Sequence, residues 1–257
     1  MLSTSSAGAA KVRVTIENLS PSGGVALSPF FVAAHDGTFD GFDDGSIASL
    51  AIENVAEAGD SAQAIADSIA ADPAAVAATA PANVDGFNSA IYTPGTSGFI
   101  DLTLDPLSNR FFSFAAMVVP SNDAFIGNDA PAAIELFNDM GEFVAGDILI
   151  LGDQIWDAGT EINQLTGAAY VVGQQGSLGD DEGGLIALAP LATQFAPYLG
   201  QSVPSGGTFN TVPQASAAVA AISFALIPEP ANLLLFAGGL AMLLLPWRHR
   251  STGLRAG

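Results

Sequence analysis

The chain has 257 residues, 26 of them acidic and 6 basic, which gives a formal net charge of −20. This length suits one large domain or two small ones, and the negative charge argues against nucleic acid as a partner because phosphate backbones would be repelled. There is no cysteine, which excludes disulfides, thiol nucleophiles and thiolate metal sites, so the hydrophobic core alone must hold the fold together.

The N-terminal part begins with a polar stretch and continues into strands. Residues 1–10 are small and polar without an apolar h-region, so they are not a signal peptide. We interpret them as a disordered N-terminal remnant and expect the true start to lie upstream. Val12, Val14 and Ile16 then alternate with polar residues, which predicts a half-buried strand, and the apolar run 27–34 predicts a second one.

A helical insertion follows a loop rich in aspartate and glycine at residues 35–45. That loop lacks the spacing and the closing glutamate of an EF-hand, so we expect no calcium loop of that type there. Ser46 is predicted to cap a first helix that ends at Gly59. A second helix is predicted between Asp60 and Pro73.

The remainder of the body reads as short strands separated by turns. Residues 100–104 alternate apolar and polar side chains, whereas residues 110–119 are apolar on both faces, which indicates a strand covered on both sides. Further short strands are predicted at 134–137, 148–151 and 217–226. This pattern predicts a mainly β fold, an antiparallel β-sandwich with a short helical insertion.

Two loops place carboxylates where the chain leaves a predicted strand. The first follows Pro120 and contains Asp123, and the second follows Trp156 and contains Asp157 and Glu161. If both loops lie at one end of the sandwich, their oxygens could converge on a hard cation such as calcium. The alternative is that these are ordinary solvated loop acids.

Several segments, in this order, resemble the spondin N-terminal domain. The resemblance runs over roughly residues 10 to 226 and implies a C2-like, spondin-type β-sandwich domain at 11–226. The segments that carry it are residues 12–20, 27–37, 118–129 and 156–161.

The resemblance also implies a metal site. Animal spondin domains hold a calcium ion with aspartates from two loops, and the matching positions here are Asp123, Asp157 and Glu161. Glutamate at the last position departs from the family pattern, although its longer arm still offers two oxygens. Calcium is therefore the expected cofactor.

The C-terminal tail, residues 227–257, has a different composition. Pro228, Glu229 and Pro230 precede an apolar stretch at 231–247, and Arg248 and Arg250 follow it, alongside a third arginine near the end. The stretch is close to the length of one C-terminal transmembrane helix, and the arginines favour a cytoplasmic end and an exported body. The order of these features resembles the PEP-CTERM sorting signal of Gram-negative bacteria, which implies recognition by an exosortase-type enzyme.

These expectations combine into one function. We expect an exported protein, first a membrane-anchored precursor and then at the cell surface or in the extracellular matrix, that binds calcium and adheres to polysaccharide or other matrix components. We expect no enzyme, because His35 is the only histidine outside the tail and no nucleophile motif accompanies it. A secreted polysaccharide hydrolase with paired carboxylates and an ion-independent structural matrix protein remain alternatives.

Overall fold

The structure, a computed structural model, describes residues 8–82, 90–174 and 178–228. The strands in these ranges are β1 (Ala10–Asn18), β2 (Ala26–Leu27), β3 (Phe30–His35), β4 (Val76–Ala80), β5 (Ser97–Leu104), β6 (Phe111–Val119), β7 (Ala124–Gly127), β8 (Ile148–Leu151), β9 (Ile155–Asp157), β10 (Ala187–Leu188) and β11 (Ala218–Leu226). The helices are α1 (Leu50–Ala58), α2 (Ala62–Ala71) and α3 (Leu191–Gln194).

The strands form two antiparallel sheets. The first sheet has the order β5-β1-β11-β8, and the second has the order β10-β9-β7-β6-β3-β4 with β2 paired to β6. The apolar side chains of both sheets share one core, in which Val12, Val14 and Ile16 of β1 pack in the same cluster as Phe112 and Phe114 of β6. The predicted β-sandwich is therefore confirmed.

The helices explain why β6 is apolar on both faces. Phe112 and Phe114 belong to the core between the sheets, whereas Ala115 belongs to a second cluster with Ala51 and Val55 of α1. The outer face of the second sheet is thus covered by α1 and α2, and β6 exposes almost no side chain to solvent. A strand buried on both faces needs a continuous apolar run.

The helical insertion exists, but its first helix begins later than expected. Ser49, not Ser46, accepts the capping hydrogen bond, from the backbone N–H of Ile52. Ile47, which would lie in the first turn of a helix capped by Ser46, precedes α1 and is 79% exposed. Gly59 ends α1 at a φ of 65°, the left-handed conformation that glycine adopts most easily.

Two segments of the body differ from the sequence-based expectation. Residues 134–137 do not form a strand: Glu135 and Phe137 make only isolated bridges, to Phe111 and Phe143. Residues 76–80, where the sequence pattern predicts no strand, form β4 at the edge of the second sheet. Alanine has little β-propensity, so the pairing of β4 with β3 determines this strand.

The predicted fold class has to be corrected, because it included a C-terminal transmembrane helix. Within residues 8–82, 90–174 and 178–228, no helix combines the length and the apolar character needed to cross a bilayer. The longest helix there, α2, has 10 residues, about half of what a membrane span requires. The segment assigned to the span, 231–247, lies outside the described residues.

The chain divides into two units, Met1–Ile227 and Pro228–Gly257. The sandwich belongs to the first unit, and the expected N-terminal remnant is described only from residue 8 onward. In the second unit only Pro228 is described; Glu229, Pro230, Arg248 and Arg250 of the expected sorting motif lie outside the described residues.

Asn18 provides a test of how the sandwich is held together. Its amide group donates to the carbonyl oxygens of Val25 and Tyr92, and its Oδ1 accepts from the N–H of Ser20, all in a fully buried position. We expect Asn18→Ala to lower the free energy of unfolding by about 2 kcal/mol, because three backbone groups lose their partner. Urea unfolding measures this, and the exposed neighbour Glu17→Ala, expected to change little, is the control. Equal effects of the two substitutions would contradict it.

Candidate metal centre

Strand pairing brings the two predicted loops to one end of the second sheet. β7 and β9 are antiparallel neighbours, and Ala124 lies opposite Asp157 in their register. Asp123 immediately precedes β7 and Asp157 is the last residue of β9, so the two carboxylates leave adjacent strands at the same edge. The backbone N–H of Ala158 also donates to the carbonyl oxygen of Asp123, which fixes the loops against each other.

A third loop joins them by backbone pairing. The N–H of Glu182 donates to the carbonyl oxygen of Thr160, and the N–H of Gly184 donates to that of Gly159. Gly159 has a φ of 67°, and a Cβ there would lie 2.8 Å from the backbone of Gly184 and Leu185. Only glycine permits this close approach, which brings Glu182 next to the two aspartates.

The resulting group consists of Asp123, Asp157 and Glu182. One ligand oxygen from each lies within 4.8 Å of the others. Asp123 is fully buried, Asp157 is half-buried and Glu182 is exposed, so the group runs from the interior to the surface. Three carboxylates at this separation repel one another unless a proton or a cation lies among them.

The two oxygens of Asp123 have different surroundings. Oδ2 accepts from the backbone N–H groups of Thr160 and Glu161, at 2.8 and 3.1 Å, and lies 3.3 Å from the Thr160 hydroxyl. Oδ1 is buried and has no hydrogen-bond partner. A buried carboxylate oxygen without a partner is costly, and a metal ion is one of the few ligands that would satisfy it.

The electrostatics of the group follow from this arrangement. Burial, and then the negative charge of Asp157, raise the pKa of Asp123 to about 7, although the backbone hydrogen bonds oppose the rise. Burial and the same aspartate also raise the pKa of Glu182. Without a cation, this arrangement favours the protonated form of Asp123 near neutral pH, and a divalent cation would compete with that proton.

A hydrogen-bonded network orients Asp157. Its Oδ1 accepts from the N–H of Gly159 at 2.8 Å, and its Oδ2 accepts from the side-chain amide of Asn163 at 2.9 Å. Asn163 in turn exchanges hydrogen bonds with the buried side chain of Gln194 in α3. Partners behind a ligand fix its direction, as they do around established metal sites.

Glu161, the third residue expected from the sequence, does not join this group. Its carboxylate accepts from the side-chain amide of Asn122, at 3.3 Å, and from the backbone N–H of Gly179, at 3.0 Å. Its backbone N–H nevertheless donates to Asp123, so Glu161 helps to hold the site. Glu182 is not among the candidate ligands predicted from the sequence; the acidic run 180–182, which ends at this residue, was the available signal.

His35 is a structural residue in a buried position. Its Nδ1 accepts from the backbone N–H of Gly37, so Nε2 carries the proton and donates to the hydroxyl of Ser113 at 2.9 Å. In this tautomer the imidazole cannot accept the proton of Ser113, which a serine nucleophile would require. In the neighbouring loop, Asp36 accepts from the N–H and hydroxyl of Thr38.

Comparison with known proteins identifies the domain. No curated protein matches the chain. The family model described as Spondin_N matches residues 19–176, more than half of the chain, and the matched region includes Asp123, Asp157 and Glu161. This match confirms the resemblance to the spondin N-terminal domain, and the chain belongs to the Spondin_N family.

Proposed function

We propose that this protein is a calcium-binding adhesion module that works at the cell surface or in the extracellular matrix. The ion is held by Asp123, Asp157 and Glu182, and it rigidifies the loops at one end of the sandwich. Those loops present the contact surface toward polysaccharide or other matrix components, because loops on a rigid scaffold commonly carry binding functions.

The observation that carries the metal proposal is the unpartnered Oδ1 of Asp123. It is buried, and it belongs to a carboxylate that has one oxygen within 4.8 Å of an oxygen of Asp157 and of Glu182. That spacing is too crowded for three anions and suitable for one cation. The donors are oxygen atoms, which calcium prefers, and its flexible geometry tolerates backbone carbonyls and waters as the remaining ligands.

The extracellular setting rests on the family. Membership in Spondin_N indicates an exported, extracellular or cell-surface module. We further propose sorting by an exosortase-type enzyme that recognises Pro228, Glu229 and Pro230, in a bacterial host. Apart from Pro228, that motif lies outside the described residues, so the sequence pattern alone supports this part of the proposal.

A binding role is proposed in preference to hydrolysis. Glycoside hydrolysis needs two carboxyl groups that both reach the scissile bond. Asp123 is fully buried, and its Oδ2 is occupied by backbone donors. Such a carboxylate suits an enclosed ion better than an accessible substrate.

Thermal unfolding of the 257-residue chain tests this function. With calcium at about 100 times its Kd, we expect about 2.7 kcal/mol of added stability, which corresponds to a midpoint about 5–10 °C higher than in EDTA for a domain of this size. Magnesium should give a smaller shift, because it demands a tighter octahedral geometry. Identical midpoints in calcium and in EDTA would contradict the proposal and favour an ion-independent structural protein.

Calcium affinity should depend on pH in a defined direction. Since Asp123 has a pKa of about 7, its proton must leave when the ion binds. The affinity should therefore be nearly constant above pH 7.5 and about 30-fold weaker at pH 5.5, as expected for competition by one proton. Calcium titrations at the two pH values measure this, and equal affinities would show that no proton is displaced.

A further inference from the structure

A short helical segment, residues 190–198, lies behind the metal centre. It contains α3, which ends at Gln194, and a 3₁₀ turn, Ala196–Tyr198. The strand just before it, β10, is paired with β9, which fixes where the segment begins. Gln194 and Tyr198 are both fully buried, and each is hydrogen-bonded to one of the two loops that supply the aspartates. The segment therefore contacts both metal loops from the protein interior.

Gln194 is connected to Asp157 through Asn163. The amides of Gln194 and Asn163 form two hydrogen bonds with each other: Nε2 of Gln194 donates to Oδ1 of Asn163 at 2.7 Å, and Nδ2 of Asn163 donates to Oε1 of Gln194 at 3.0 Å. The same Nδ2 also donates to Oδ2 of Asp157 at 2.9 Å. Because an ionised carboxylate can only accept, this contact fixes the orientation of the Asn163 amide, and with it that of Gln194. Gln194 thereby holds the group that directs Asp157.

Tyr198 is connected to the loop of Asp123 through Asn122. The Tyr198 hydroxyl donates to Oδ1 of Asn122 at 2.6 Å, and burial raises the pKa of Tyr198, so the hydroxyl keeps the proton that it donates. Asn122 directly precedes Asp123 and is itself buried. The same Oδ1 accepts from the backbone N–H of Gln164 at 3.1 Å, which ties this loop to the loop after β9. Tyr198 thus supports the backbone from which Asp123 projects.

The segment is a firm support because its apolar side chains belong to the main core. Phe195 and Tyr198 are fully buried and pack in the cluster that both sheets share. The rings of Phe195 and Phe209 lie 6.1 Å apart, and the N–H of Gln194 donates to the carbonyl oxygen of Pro190. Ligand groups that are held in place before an ion arrives bind it at a smaller entropic cost.

We propose that Gln194 and Tyr198 are positioning residues of the metal centre, acting through the two asparagines that they contact. Both lie outside residues 19–176, the part of the chain that matches the Spondin_N model. The inference rests on the proposed calcium site and adds a requirement to it. The affinity for the ion depends on the segment 190–198 as well as on the three carboxylates.

Calcium titration calorimetry of the 257-residue chain and three variants tests this inference. Gln194→Met keeps the side-chain size and removes both amide hydrogen bonds, so it should weaken calcium binding about tenfold, as expected for a partner behind a metal ligand. Tyr198→Phe removes one hydroxyl and should weaken binding about fivefold, the value of one hydrogen bond. Asn18→Ala, which removes a buried amide elsewhere in the sandwich, should lower stability and change the affinity by less than about twofold.

The outcomes separate this inference from the proposed function. Unchanged affinity in both Gln194→Met and Tyr198→Phe would overturn the positioning role and leave the calcium site standing. Equal weakening in Asn18→Ala would also overturn it, because a general loss of stability would then explain the effect. Absence of calcium binding by the unsubstituted chain would refute the proposed function, and this inference with it.

A second measurement needs no substitution in the segment. In the isotope-labelled chain, NMR can follow the side-chain amide signals of Gln194 and Asn18 while calcium is added. We expect the Gln194 signal to shift as the site fills, because a change at Asp157 reaches it through Asn163, and the Asn18 signal to stay in place. A Gln194 signal that does not move at saturating calcium, or equal shifts of both signals, would contradict the positioning role.

Discussion

Asp123→Asn is expected to abolish calcium binding and, at the same time, to make the calcium-free protein more stable at alkaline pH. The asparagine Oδ1 can take the position of the Asp123 oxygen that accepts from the N–H groups of Thr160 and Glu161. Its NH₂ group then takes the position of the unpartnered oxygen, in a side chain that has the carboxylates of Asp157 and Glu182 as close neighbours. The substitution thus removes a buried negative charge from the group of three carboxylates.

The sign and size of the effect follow from the pKa of Asp123. The folded-state value, about 7, lies above the ordinary value of 3.8, so this carboxyl lowers stability progressively as pH rises from about 4 to about 7. A difference of about 3 pKa units corresponds to about 4 kcal/mol, so we expect a gain of about 2–4 kcal/mol in Asp123→Asn at pH 8. At pH 4, where the carboxyl is largely protonated, the gain should fall below about 1 kcal/mol.

Urea unfolding in EDTA at pH 8 and pH 4 measures this difference. Asp139→Asn, at an exposed turn position, is the matched control and should change stability by less than about 0.5 kcal/mol. A destabilised Asp123→Asn at pH 8, or a gain that is the same at both pH values, would show that the Asp123 charge is not strained in the calcium-free protein.

We expect Glu182→Gln to weaken calcium binding with little effect on stability, and Glu161→Gln to lower stability with little effect on calcium binding. Glu182 is exposed and directs an oxygen toward the two aspartates, so its loss should weaken calcium binding at least about tenfold and leave the calcium-free stability nearly unchanged. Glu161 has its carboxylate engaged by Asn122 and Gly179. Its loss should lower stability by about 1 kcal/mol and retain most of the calcium response.

Calorimetric calcium titrations, with urea unfolding in EDTA, separate the two variants. Asp180→Asn, in the same loop as Glu182 but outside the group of three, serves as the control for removing one negative charge. If Glu161→Gln loses calcium binding and Glu182→Gln retains it, the ligand set expected from the sequence is right and the one favoured by the geometry is wrong.

Strands could be predicted from the sequence where the pattern of apolar and polar residues follows the burial of each side chain. Residues 148–151 form β8 within the predicted bounds, and the apolar segment 110–119 is the central strand β6. The pattern predicts no strand at residues 76–80 and wrongly predicts one at 134–137, because the conformation of both segments depends on neighbours far along the chain. The former is a strand through pairing with β3, and the latter makes only isolated bridges.

The candidate site was partly predictable for a similar reason. Asp123 and Asp157 flank strands, and strand pairing places them together, as the sequence led us to expect. The choice between Glu161 and Glu182 depends on how the loop after Gly159 pairs with the loop around residue 182. In that pairing Gly159 and Gly184 lie against each other. The sequence contains both glycines, but nothing in it shows that they are neighbours in the fold.

The most direct measurement is a calorimetric calcium titration of the 257-residue chain at pH 7.5, beside the Asp157→Asn variant. A shared ion at Asp123, Asp157 and Glu182 predicts one chelator-reversible site, with protons released on binding, and its loss in the variant. The calcium site would be contradicted if the unsubstituted chain gave no binding heat in any of several buffers of different ionisation enthalpy. An unchanged titration in Asp157→Asn would contradict it as well.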